Sequence, residues 1–254
     1  MSGRLAKVRA DLLLVAKGLV ESRAKARAAI EAGGVTADGR PVLKASELLD
    51  ETVEMVGRAA HPWVGRGALK LVHALELWPV VVAGRVVLDV GASTGGFTEV
   101  CLERGARRVY AVDVGRGQLH ARLVGDPRVI VLEGTDARAL DPVIVPEAPD
   151  LVVCDASFIG LAKVLPAALG LARTDADLIV LVKPQFEVGP DGVGKGGLVK
   201  DPVARAEALA GVEAFLEASG WSVLARTDSP IAGGDGNLEF LVHARKRPPL
   251  SERP

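Results

Sequence analysis

The sequence predicts an α/β protein: a Rossmann-like sheet of seven strands behind a small N-terminal α+β domain. Three observations predict it. From Val86 onward, short apolar runs alternate with helical segments, the mark of a largely parallel sheet. The stretch VVLDVGASTGGFTEV, residues 86–100, reads as strand, glycine loop and helix. The first sixty residues instead carry two helical segments followed by turn-rich short strands. With 254 residues, 49% hydrophobic and only 4% aromatic, the chain must build its cores from Ala, Val and Leu.

Val8, Leu12, Val15 and Leu19 are spaced for one apolar face of a first helix. Ser22 is a good N-cap for a second, RAKARAAIEAG, which Gly33 and Gly34 end. VTADGRPVL then reads as strand, Asp-Gly turn and strand, and ETVEMV as one more short strand. Charge is uneven here. In the first thirty residues Arg4, Lys7, Arg9, Lys17, Arg23, Lys25 and Arg27 face only Asp11 and Glu21, the next thirty reverse the sign, and the whole chain has a formal net charge of -1. A basic face on a near-neutral protein is a footprint for phosphate backbone. HPWVGRG, residues 61–67, is the expected linker, with Trp63 filling the seam between domains.

A helix carrying Lys70 opens the larger domain, 68–247, and 248–254 is expected to be a flexible tail. Strands are expected at Val86–Val90, Val109–Asp113, Val129–Glu133, Leu151–Asp155, Leu178–Val182, Trp221–Arg226 and Leu238–Ala244. Helices are expected at Gly95–Arg104, Leu161–Leu171 and Val203–Ser219. The last two strands form a hairpin, unlike the six-strand dinucleotide order.

The glycine loop has the spacing G-x-x-x-G-G, so it fails the pyrophosphate pattern, and it lacks a phosphate-loop lysine. Asp89 precedes Gly91, and Asp113 ends the next strand, where a carboxylate meets ribose hydroxyls. A ligand with a ribose but no phosphates fits, and S-adenosylmethionine is the obvious candidate. Gly91, Ser93, Thr94, Gly95 and Gly96 would form its loop, the glycines allowing close backbone approach. Asp136 either bonds an adenine amino group or simply forms a turn. Asp155 and Lys183 sit at strand ends and should point into one crevice. The Asn/Asp-Pro-Pro-aromatic motif of base-directed amino methyltransferases is absent. Cys101 and Cys154 show no ligand spacing and the four histidines are scattered, so no metal site is expected. No signal peptide or spanning segment is evident, and a cytoplasmic setting is expected.

Together, WVGRGALKL, LDVGASTGGFTE, VCDASFI, VKPQFE, GKGGLVKDP and SPIAGGDGNLEFL resemble the TlyA family of RNA ribose methyltransferases, whose catalytic domain is FtsJ-like. Residues 1–60 resemble an S-four-type RNA-binding domain. The resemblance implies a methyltransferase sheet, S-adenosylmethionine as cofactor, and a cytidine ribose of small- or large-subunit ribosomal RNA as target. It implies a tetrad of Lys70, Asp155, Lys183 and Glu239. Of its two lysines, Lys183 held by Asp155 is the expected general base, with Lys70 the alternative. The resemblance places Arg9, Ser22, Arg23 and Lys25 or Arg27 on RNA phosphates. EVGPDGVGKGGLVKDP reads as a mobile glycine loop whose Lys195 and Lys200 either meet RNA phosphates or belong to an ordinary surface loop. His61 stands where relatives carry arginine, and Asp136 where they commonly carry asparagine. A non-catalytic ribosome-assembly factor and a membrane-acting haemolysin, a label some relatives bear, are the rival readings.

Overall fold

A computed structural model describes residues 7–31, 33–57 and 61–248. Arg4 of the basic run and residues 249–254 of the expected tail lie outside the described residues. The chain divides into two compact units, Met1–Pro62 and Trp63–Pro254.

The first unit runs β1 (Lys7–Arg9), α1 (Ala10–Ala16), α2 (Arg23–Glu31), β2 (Val35–Ala37), β3 (Arg40–Pro41), β4 (Leu48–Asp50) and β5 (Met55–Gly57). β1 pairs antiparallel with β4, and β2 sits between β3 and β5. The expected first helix starts later than its apolar spacing suggested. Val8 lies in β1, Leu12 is exposed, and the buried face is Ala10, Leu13 and Leu14. Pairing with β4 draws residues 7–9 into a strand, a tertiary contact that local periodicity does not carry. Ser22 does cap α2, its Oγ accepting from the Lys25 amide at 3.3 Å. Gly33, at φ +72°, ends α2 in a Schellman turn with Gly34 N donating to Ala29 O at 2.9 Å. Asp38 and Gly39 both have positive φ, as a type I′ hairpin requires. The strand expected at ETVEMV is displaced to Met55–Gly57, because Val53 N closes a turn on Asp50 O.

The second unit continues with α3 (Ala68–Leu77), β6 (Val86–Val90), α4 (Gly96–Glu103), β7 (Arg108–Asp113), α5 (Ala121–Val124) and β8 (Val129–Glu133). Then come β9 (Leu151–Cys154), α6 (Leu161–Val164), α7 (Pro166–Leu171), β10 (Asp177–Val182), α8 (Pro184–Glu187), α9 (Pro202–Ala218), β11 (Trp221–Asp228) and β12 (Phe240–Lys246). The sheet order is β11-β12-β10-β9-β6-β7-β8. β12 runs antiparallel to both neighbours and is wedged between β10 and β11; the other described pairings are parallel.

β6, β9 and β10 are buried along their whole length, which is why they read as unbroken apolar runs. Their alternate residues feed two cores. Leu88, Val90, Val152 and Val180 pack on one face under α6, α7 and α9, and Val87, Val153, Ile179 and Leu181 on the other with α3 and α4. Cys101 and Cys154 are buried in these cores, and burial pushes the Cys154 thiol up to about 12, which leaves it inert. The chain winds outward from β6 to β8 and then returns to β9 on the other side of β6. The crevice of such a sheet opens at that reversal, at the carboxyl ends of the strands.

Candidate active site

Two adjoining cavities lie at the reversal. The first, about 540 Å³, is lined by Gly91, Ser93, Asp113, Asp136, Asp155 and Phe158 among others. Asp113 is fixed by two backbone amides, from Ser93 at 2.8 Å and Gly115 at 2.7 Å. Asp136 caps a short turn by accepting from Arg138 N at 2.9 Å, and the Arg138 guanidinium beside it holds its carboxyl down to about 2. It is therefore both a turn former and an ionised acceptor on the cavity wall.

The glycines of the loop also make room for packing within the protein. Gly91 has φ +80°, and a Cβ there would lie 2.7 Å from Ala156 Cα, so the residue lets the end of β9 pass beside the loop. A Cβ on Gly96 would meet the Ala68 amide at 3.0 Å, and one on Gly95 would run into Leu119 and Leu123. Thr94, Gly95 and Gly96 do not line the cavity. Asp89 sits behind it, fully buried. One of its oxygens accepts from Thr98 Oγ1 at 2.6 Å, while Oδ1 is buried with no partner, and burial pushes the carboxyl up to about 7.

The cavity's size suits a cofactor, and its three carboxylates suit a cation with hydroxyl and amino donors better than a phosphate. S-adenosylmethionine fits that donor set.

The second cavity, about 370 Å³, shares Asp155 and Phe158 with the first. It gathers all four residues of the expected tetrad. Lys70 comes from α3, Asp155 follows β9, Lys183 follows β10 and Glu239 precedes β12. Lys183 Nζ lies 2.7 Å from Asp155 Oδ1 and donates to Asp155 O at 3.0 Å and Ser157 Oγ at 2.6 Å. Lys70 Nζ lies 2.5 Å from Glu239 Oε2. Both lysines and Glu239 are buried, so these are ion pairs largely withdrawn from water.

Ser157 and Phe158 escaped the sequence reading. Phe158 is 90% exposed with φ +67°, a strained conformation for an aromatic residue, and its ring centroid lies 5.3 Å from that of Phe186. Lys195 and Lys200 are exposed and line neither cavity. Their segment, expected to be mobile, is tied down by buried Asn237, which donates to Gly197 O at 2.8 Å and accepts from Val199 N at 2.9 Å. Trp63, expected at the seam, packs against the second unit's own core.

In the first unit, Arg9, Arg23 and Arg27 all turn to Asp11, whereas Lys25 pairs with Glu21 at 2.7 Å. Among the described residues, no helix is long and apolar enough to cross a membrane, and no group of three or more His, Cys, Asp or Glu is placed to hold a metal.

Residues 63–246 match the FtsJ-like methyltransferase family, and residues 8–54 match the S4 domain. The chain is 49% identical over 241 residues to the 16S/23S rRNA (cytidine-2′-O)-methyltransferase TlyA of Mycobacterium tuberculosis, covering 94% of this chain and 90% of that one. It is 35% identical over 239 residues to Hemolysin A of Brachyspira hyodysenteriae, covering 93% and 99%. A solved structure from Streptococcus thermophilus superposes with a TM-score of 0.76 at 38% identity over 96% of this chain and 90% of that one. The chain therefore belongs to the TlyA family of FtsJ-like methyltransferases, S-adenosylmethionine-dependent enzymes that act on RNA.

Proposed function

We propose that this chain methylates the 2′-hydroxyl of a cytidine ribose in ribosomal RNA, within small or large ribosomal subunits in the cytoplasm. The observation that carries this reading is the position of Lys183 Nζ, held by Asp155 and Ser157 where the two cavities adjoin. S-adenosylmethionine supplies an electrophilic methyl group on a sulfonium. With that cofactor bound, a ribose hydroxyl whose proton is drawn away would take the methyl group as its bond to sulfur breaks and the neutral thioether leaves. Lys183 Nζ is the group placed to take that proton, with the Asp155 carboxylate beside it to hold the ammonium formed. Lys70 and Glu239 line the same cavity and would fix the ribose for in-line attack. Asp113 and Asp136, both on the wall of the first cavity, would hold the ribose and adenine ends of the cofactor. Phe158 offers its exposed ring to the target base, which must leave its stack for the ribose to enter.

Incubation with purified small and large subunits and labelled S-adenosylmethionine tests the reading. Mapping of the product should find a ribose-methylated cytidine. A methylated base would overturn it.

A further inference from the structure

We propose that Asp11 is a positioning residue for RNA: it gathers Arg9, Arg23 and Arg27 into a preformed clamp for backbone phosphates. The inference rests on the reading that the first unit meets RNA. Asp11 is fully buried, although it stands in the first turn of a helix only seven residues long. Its Oδ1 accepts from the Leu12 amide at 3.0 Å and from Arg9 Nε at 2.9 Å. Its Oδ2 accepts from Arg9 Nη2 at 3.0 Å and Arg23 Nη2 at 3.2 Å, with Arg27 Nε at 3.7 Å.

The three arginines come from the end of β1 and from two successive turns of α2. Without a shared anion, three like charges would spread apart and move freely. Their side chains remain 35%, 53% and 56% exposed, so each keeps N–H groups turned to solvent. The carboxylate is out of reach of an incoming phosphate. One buried negative charge against three positive ones leaves a surplus of two facing outward. The Arg9 guanidinium, with Arg23, also holds the Asp11 carboxyl well below the usual range, so the anion persists in mildly acidic solution. Lys25 differs: it is matched by Glu21 on its own helix and lies outside the clamp.

Charge alone and positioning predict opposite signs. Removing a negative charge beside a phosphate site should tighten RNA binding if charge alone matters. If Asp11 positions the arginines, Asp11→Asn weakens it. Asparagine keeps the volume and can keep the Leu12 bond. Filter binding of the full chain to deproteinised ribosomal RNA over a KCl series reads the outcome. We expect Asp11→Asn to bind ~5- to 10-fold more weakly, with a salt slope shallower by about one phosphate contact. Asp11→Glu, which keeps the charge but moves it, should also weaken binding, and this second variant covers a failure of the first to fold. The double variant with Arg23→Ala should lose less than the sum of the single losses, which a purely structural role would not produce. Unchanged or tighter binding by a folded Asp11 variant overturns the proposal while the RNA-binding reading stands. If Arg9→Ala, Arg23→Ala and Arg27→Ala all bind like wild type, the RNA-binding reading of this face falls with it.

Discussion

Strand β10 has a buried charge at each end, and the two are built differently. Asp177 opens the strand and is fully buried. Its oxygens meet Arg85 at 2.6 Å, His243 at 2.8 Å and Arg245 at 2.9 Å, and His243 stacks on Trp78. Burial pushes this carboxyl up, but His243, Arg85 and Arg245 outweigh it and leave it well below the usual range. Lys183, about 20 Å away at the other end, is tied just as tightly, yet it borders a cavity shared with Lys70, Asp155 and Glu239. One carboxylate ringed by donors, lining neither cavity, is built as a structural lock. Two ion pairs lining one cavity are the arrangement that the proposed chemistry uses. Burial and pairing alone do not mark a site; the open volume beside them does.

The comparison can be broken by substitution at each end. Lys183→Ala should reduce methyl transfer ~10²- to 10⁴-fold while leaving S-adenosylmethionine affinity and thermal unfolding nearly unchanged, as calorimetry would show. A variant that transfers methyl at the wild-type rate would remove Lys183 from the mechanism. Asp177→Asn should do the reverse. It strands two arginines and a histidine, costs about 3 kcal/mol of stability, and lowers the Tm by ~6–12 °C, with activity at low temperature retained.

Asp89 belongs to neither kind, and the pH dependence separates it from Asp177. Its folded pKa, about 7, lies above the ordinary carboxylate value. Its contribution is therefore fully present below about pH 4 and is lost as pH rises through about 7. Relative to Asp89→Asn, the wild type should lose on the order of 2 kcal/mol between about pH 5 and pH 8 in denaturant titrations. Asp177 is depressed, so its contribution is present above the ordinary carboxylate range and fades only in strong acid. The smallest effect is expected at Phe158. Phe158→Ala should raise KM for RNA about tenfold, with kcat and cofactor affinity little changed, consistent with a stacking loss of ~1–2 kcal/mol.

Strand ends were legible because β6, β9 and β10 are buried on both faces, so a charge at the end of an apolar run stands out. That made Asp155 and Lys183 visible from spacing, while Lys70 and Glu239 needed the family resemblance to join them. Ser157 and Phe158 follow Asp155 directly, but nothing in DASFI signals a positive φ or a ring left in solvent. The glycine loop was recognisable as a type, yet the reason for its glycines lies in Ala156, Ala68 and Leu123, which are distant in the chain. β4 and the Asp11 cluster were hidden for the same cause. Three-residue strands have no period to read, and a carboxylate's partners are set by how helices meet.

The position of β12 has a consequence for how the enzyme comes into being. β12 and Glu239 follow every other strand of the sheet in the chain, yet β12 lies between β10 and β11. During synthesis, Lys70, Asp155 and Lys183 emerge well before the residue that pairs with Lys70. Until β12 inserts, β10 has an open edge and the second cavity lacks a wall. A nascent chain of this protein therefore carries Lys70, Asp155 and Lys183 before the wall that Glu239 supplies has been made.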